Sequence, residues 1–157
     1  MKIELWQIGK TKAGYLETGI SDYTKRLKRY ARVDLKTVAD VKNPSKLRSE
    51  ELKSKEAEKV LALLSPGDQL ILLDEIGSHF TSVEFSAFLQ KKMNTGAKRL
   101  VFLIGGAYGF DKKIYDRANG KLALSKMTFT HQMVRLFFLE QIYRAFTILN
   151  NEPYHNQ

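Results

Sequence analysis

The chain has 157 residues, 43% of them hydrophobic and 11% aromatic, with 26 Lys and Arg against 17 Asp and Glu for a formal charge of +9. That length suits a single domain over 1–157, and the apolar content is enough to offset chain entropy, which excludes a disordered tail. With no cysteine and three histidines, disulfide frameworks, cysteine nucleophiles and thiolate or His-rich metal sites fall away, so no metal is expected.

Residues 2–8 alternate as a strand around Ile3, Leu5 and Trp6, and Gly9 ends it. Leu16, Ile20, Tyr23, Leu27 and Tyr30 then recur at helical steps, an apolar stripe flanked by Lys25, Arg26, Lys28 and Arg29. Residues 32–38 predict a second strand. Asn43 and Pro44 read as N-cap and first-turn proline of a charged helix over 45–64, stopped by Ser65, Pro66 and Gly67. Residues 69–73 are a continuous apolar run of the buried-strand type, ending at Asp74 and Glu75, with Gly77 opening a loop. Thr81 and Glu84 form a capping box for a helix through Phe85, Phe88, Leu89 and Met93. The next buried strand, 100–104, runs straight into Gly105, Gly106 and Gly109. A short helix over 112–118 precedes a last strand over 121–124 and an ordered loop over 125–130.

The final helix, 132–149, is apolar around most of its circumference. Either a homodimer interface or ordinary core burial would cover it. The alternation as a whole predicts an α/β fold, a mostly parallel sheet flanked by helices. No apolar run approaches a membrane span, and Glu4 interrupts the start where a secretion signal would be apolar. A soluble, cytoplasmic protein with no membrane partner is the expectation.

Eleven basic and four acidic residues lie between Lys10 and Arg48, so +7 of the +9 sits in that segment. A one-sided basic segment is the footprint of a polyanion binder, because each Lys or Arg that meets a phosphate releases condensed counterions. A solvated helix face would carry the same charge without a partner.

A glycine-rich turn at the carboxyl end of a parallel strand is where open α/β sheets take ligands. Gly105-Gly106-x-x-Gly109 permits close backbone approach, yet it is neither a Rossmann fingerprint nor a phosphate loop, and a tight structural turn would look the same. Three strand ends converge here: Leu73, Gly105, and the run Leu124, Ser125, Lys126, Met127, Thr128, Phe129. Backbone polar groups and apolar side chains without a cluster of phosphate-binding cations suit a flat, mostly neutral ring such as adenine. His79, His131 and His155 form no Ser/His/Asp arrangement by spacing.

Taken together, residues 103–109, residues 124–135, Glu140-Gln141-Ile142-Tyr143-Arg144-Ala145 and the terminal Pro153-Tyr154-His155 resemble the ribosomal RNA large subunit methyltransferase H family of the SPOUT superfamily, over the whole chain. The resemblance implies a SPOUT-type fold with a C-terminal trefoil knot, which generic topology rules would argue against. It implies a homodimer, with S-adenosyl-L-methionine (SAM) held by Leu73, Gly105 and the six residues from Leu124 to Phe129. It further implies methyl transfer to N3 of a pseudouridine in large-subunit (23S) ribosomal RNA, on the assembled ribosome. The imide N3–H is a weak acid, so a base or a nearby cation would help. Arg135 and Arg144 are the candidate cations, and Tyr154 and His155 match a tail beside the cofactor pocket. Arg135, Tyr154 and His155 thus become the candidate catalytic residues, and Lys25, Arg26, Lys28 and Arg29 the candidate RNA contacts. Here the chain ends Asn156-Gln157, where family tails often carry a basic residue.

Two rival readings remain. A non-catalytic ribosome-binding or assembly factor would use the basic helix but have no need of the glycine turn or the Tyr-His tail. A flavodoxin-like nucleotide or phosphate binder would need a phosphate loop.

Overall fold

The computed structural model describes residues 1–156. Strands β1 (Lys2–Ile8), β2 (Val33–Val38), β3 (Gln69–His79), β4 (Arg99–Ile104) and β5 (Gly120–Ala123) form one sheet in the order β2-β1-β4-β3-β5, all neighbours parallel. Helices α1 (Gly14–Leu27), α3 (Ser82–Met93) and α5 (His131–Leu149) cover one face, while α2 (Ser49–Leu63) and α4 (Lys112–Arg117) cover the other. The middle strand, β4, is apolar without a break from Leu100 to Ile104 because both its faces are buried. Leu100, Phe102 and Ile104 of β4 enter one core, and Val101 and Leu103 enter the other.

The apolar circumference of α5 is answered mainly within the chain. Phe138, Leu139, Ile142 and Ala145 are buried in the core shared with α1 and α3. Helix α1 comes so close that a β-carbon on Gly19 would stand 2.9 Å from Leu136 Cδ1.

Several boundaries differ from the expectations, most by one residue. Asn43 does not cap a helix with its side chain: it takes a left-handed conformation (φ 51°), Pro44–Lys46 make a single 3-10 turn, and α2 begins only at Ser49. The last strand is shifted back by one residue, to Gly120–Ala123, which leaves Leu124 to the following loop. Gly77 lies within β3 rather than opening a loop. That strand leaves its pairing with β5 after Leu73 and rejoins it at Ser78. Gly77 fits because the β5 backbone occupies the space a side chain would need.

At the opposite end of the sheet, Arg99 ties together two buried carboxylates. It lies 3.4 Å from Glu4, makes a short bond to Asp68 and donates to the Leu63 carbonyl at 3.0 Å. Burial opposes ionisation of Asp68, but hydrogen bonds from Arg99 and the Ser65 N–H outweigh it and hold that carboxyl below the usual range. Glu4 is likewise buried and likewise lowered, through Lys2, the Trp6 indole and the charge of Arg99.

Candidate functional site

The sheet itself sets the three strand ends side by side, since Leu73 pairs with Ile104 on one flank and Leu122 on the other. Residues 74–77 leave the ladder with β5 there and carry Asp74 and Glu75 to the rim. The Tyr115 hydroxyl donates to Asp74, and burial followed by that bond pushes Tyr115 up to about 12, so it keeps its proton. Thr128 Oγ1 donates to Glu75 at 2.9 Å, tying the loop after β5 to the bulge.

Among the described residues, no backbone N–H or C=O of 124–129 takes part in a backbone hydrogen bond; the Met127 N–H donates to Ser125 Oγ at 3.0 Å. Free amides and carbonyls beside two carboxylates suit a ligand that has a hydrogen-bonding ring and a positive charge. Leu73, Leu124 and Ser125 are half-buried, whereas Lys126, Met127, Thr128 and Phe129 are exposed. The Phe129 ring meets Phe137 edge-on at 5.0 Å, and Ile76 and Met127 are 68% and 75% exposed, so the rim carries an apolar patch.

The glycine turn is packed from outside. A β-carbon on Gly105 would meet the Phe110 ring at 3.2 Å, and one on Gly106 would meet both Glu56 carboxylate oxygens at 2.8 Å. Glu56 was missed by sequence reasoning, because nothing in α2 links it to a turn fifty residues away. Burial, reinforced by the charge of Asp40, raises its pKa.

A second constellation gathers where the chain turns back after α5. Tyr154 donates its hydroxyl proton to Glu140 Oε1 at 3.0 Å and lies 3.2 Å from the Tyr23 hydroxyl. Arg144 makes a short bond to the same Glu140 oxygen, sits 4.8 Å over the Tyr154 ring and reaches His155 Nδ1 at 3.3 Å. Burial and the bonds to Tyr23 and Glu140 raise the Tyr154 pKa, so this phenol is a neutral donor. In sequence Tyr23 reads only as part of an apolar stripe and Glu140 only as part of the family motif, neither with a role at a site. The i, i+4 spacing of Glu140 and Arg144 was the available signal. Tyr154 and Leu124 pack against the same core, but no hydrogen bond joins the tail cluster to the loop among the described residues.

Arg135 stands apart from that cluster. It is fully buried and donates to the Ile8 carbonyl at 2.8 Å and to Thr11 Oγ1 at 3.0 Å, while its Nε has no hydrogen-bond partner among the described residues. It fixes the start of α5 to the end of β1. Burial and the nearby Arg135 and Lys12 charges lower the pKa of His131, one turn earlier.

The basic helix divides into two stripes. Arg26 pairs with Asp22 at 3.1 Å and lies over the Tyr23 and Tyr143 rings, and Arg29 pairs with Glu152 at 2.9 Å and lies over Tyr30. Both border the tail cluster. Lys25 and Lys28 instead line a groove between α1 and β2. Among the described residues no group of three or more His, Cys, Asp or Glu could hold a metal ion, and no helix is long and apolar enough to cross a membrane.

A family model described as "Predicted SPOUT methyltransferase" matches residues 1–155. Proteins named ribosomal RNA large subunit methyltransferase H from Flavobacterium johnsoniae and Parabacteroides distasonis are 59% and 54% identical over 157 residues, covering 100% of both chains in each case. Among solved structures, a Legionella pneumophila protein described as a methyltransferase in complex with the cofactor SAM superposes with a TM-score of 0.50 at 11% identity. The match covers 92% of this chain and 66% of that one, a likeness of fold.

Proposed function

The chain belongs to the SPOUT methyltransferase family, and from that premise we propose that it transfers the methyl group of SAM to N3 of a pseudouridine in large-subunit (23S) ribosomal RNA. In this reading it acts in the cytoplasm, on the assembled ribosome and as a homodimer. The observation that carries the reading is the adjacency of Leu73, Ile104 and Leu122, which aligns the glycine turn with a loop of free backbone groups.

Leu73, Gly105 and residues 124–129 would hold SAM, the loop's amides and carbonyls meeting the adenine, with Asp74 and Glu75 supplying negative charge for the cationic end. When bound, the cofactor supplies a methyl group already made electrophilic by its sulfonium, so the protein's task is in-line geometry and a free nitrogen lone pair. Arg144 offers the positive charge that favours loss of the N3 proton to solvent. Glu140 already accepts from Arg144, Tyr154 and Gln141, which suits it to orienting those groups more than to taking a proton. Tyr154 and His155 would border the target base, and Arg135 acts from behind by fixing α5. Support for the homodimer is the apolar rim of Ile76, Met127 and Phe129 beside the loop. The trefoil knot rests on family membership.

The test is to incubate the protein and methyl-labelled SAM with ribosomes from a strain lacking the modification, then map the label. Label on one pseudouridine N3 is expected. Tight ribosome binding without transfer would favour the assembly-factor reading instead.

A further inference from the structure

The groove between α1 and the edge strand β2 has a volume of about 640 Å³. Its charged lining consists of Lys2, Glu4, Lys25, Lys28, Asp34 and Lys36. Both carboxylates are already engaged. Glu4 pairs with Lys2 at 2.6 Å and accepts from the Trp6 indole at 2.6 Å, and Asp34 pairs with Lys2 at 3.1 Å and Arg32 at 3.2 Å. Lys25, Lys28 and Lys36 form no ion pair among the described residues. The groove therefore presents three uncompensated cations, joined by Ser21, which lies one and two turns from Lys25 and Lys28 on the same stripe of α1.

No aromatic side chain lines this groove. Trp6, which lies 4.7 Å below the Lys36 ammonium, is itself fully buried. A surface that reads bases in a single strand needs exposed rings on which they stack. Its groups without an ion-pair or backbone partner among the described residues are the three lysines and the Ser21 hydroxyl, the kind that grip phosphate and ribose, while Glu4 and Asp34 are engaged with Lys2 and the Thr24 hydroxyl donates to the Ile20 carbonyl.

We propose that this groove seats an RNA sugar-phosphate backbone without reading its bases, with Lys25, Lys28 and Lys36 as the phosphate contacts. The proposal rests on the ribosomal RNA methyltransferase reading, which supplies the polyanion. It also divides the basic helix: Arg26 and Arg29 serve the tail cluster, and only Lys25 and Lys28 serve the groove. Lys36, on the strand that follows the helix, joins them from the other wall of the groove.

The experiment measures binding to protein-free large-subunit ribosomal RNA across a salt series. A triple Lys25→Gln, Lys28→Gln, Lys36→Gln variant should bind about tenfold more weakly, and its log affinity should fall with log salt by about 2 less in slope, since each single-strand phosphate contact adds roughly 0.7. The matched triple Lys25→Arg, Lys28→Arg, Lys36→Arg variant should restore both. A control removing the same charge from exposed lysines elsewhere, Lys46→Gln, Lys55→Gln, Lys91→Gln, should change the affinity far less. Equal losses in groove and control variants would overturn the proposal. So would a groove defect seen with whole ribosomes but not with protein-free RNA, which would mean an acidic ribosomal protein as the occupant. Wild-type protein that shows the groove-dependent salt slope but transfers no methyl group would overturn the enzymatic reading and leave the groove standing. An active enzyme with an indifferent groove would do the reverse.

Discussion

Gly77 passes so close to Leu122 that a β-carbon on it would stand 2.5 Å from the Leu122 nitrogen and 2.6 Å from its carbonyl carbon. The obstruction is backbone, which cannot rotate aside as a side chain can. Gly77→Ala must separate β3 from β5 and disturb the loop that follows, so a loss of about 3 kcal/mol in denaturant unfolding is expected, together with loss of SAM binding in calorimetry. Gly106→Ala meets only the flexible end of Glu56 and should cost less than about 1 kcal/mol. Similar costs for the two would contradict this account.

At Gly105 a β-carbon would press on the Phe110 ring. Gly105→Ala should therefore weaken SAM binding by displacing the turn, and Phe110→Leu should partly rescue it. A double-mutant cycle is expected to show coupling of about 1 kcal/mol. Strict additivity would point to direct obstruction of the cofactor.

Removing Arg99 takes the shared cation from two buried carboxylates, leaving Glu4 with Lys2 and Trp6 and Asp68 with the Ser65 N–H. Arg99→Met should cost about 3 kcal/mol at neutral pH. Because Glu4 and Asp68 have lowered pKa values in the folded state, their contribution is present above the usual carboxylate range and is lost as pH falls through the lower folded values. The difference between wild type and variant, followed by urea unfolding from pH 7 downward, should shrink on acidification; a constant difference would show that the loss is packing alone.

Glu56 carries the opposite sign. Its folded pKa is raised, so ionisation costs stability as pH climbs from the unfolded value through the folded one. Glu56→Gln should raise the melting temperature at neutral pH, with the gain vanishing below the usual carboxylate range. A lower melting temperature at neutral pH would mean that the carboxylate has a partner it needs.

In the tail cluster, Glu140→Gln should reduce kcat by about 10²-fold, because it unfastens Arg144 and Tyr154 together. Tyr154→Phe removes only one of those links and should lose about tenfold. SAM affinity in calorimetry serves as the control. A Glu140→Gln enzyme with normal kcat would remove the cluster from the reaction.

Where one rule governs a segment, the sequence is readable. The run in β4 is apolar because both its faces are covered, and the Thr81–Glu84 capping box appears as expected, with reciprocal bonds. The three converging strand ends could be anticipated because parallel strands deliver their loops to one edge. Gly77 could not, since a glycine that opens a loop and one that admits a neighbouring backbone look alike in sequence. The split of the basic helix was hidden for a related reason. Arg26 and Arg29 differ from Lys25 and Lys28 through Glu152 and Tyr143, both distant along the chain. Arg135 reads as a free cation in sequence because its acceptors, the Ile8 carbonyl and Thr11, lie at the other end of the chain.

That last clasp shapes how the molecule is made. The Ile8 carbonyl finds its donor 127 residues later, and Gln132 reaches back to Lys10 and Lys12 in the same region. β1 also waits for β4 before it has neighbours on both sides. During synthesis the first strand therefore leaves the ribosome long before the segments that complete it, and the fold closes only once α5 has emerged. Such long-range closure favours late, concerted folding over stepwise growth from the N-terminus.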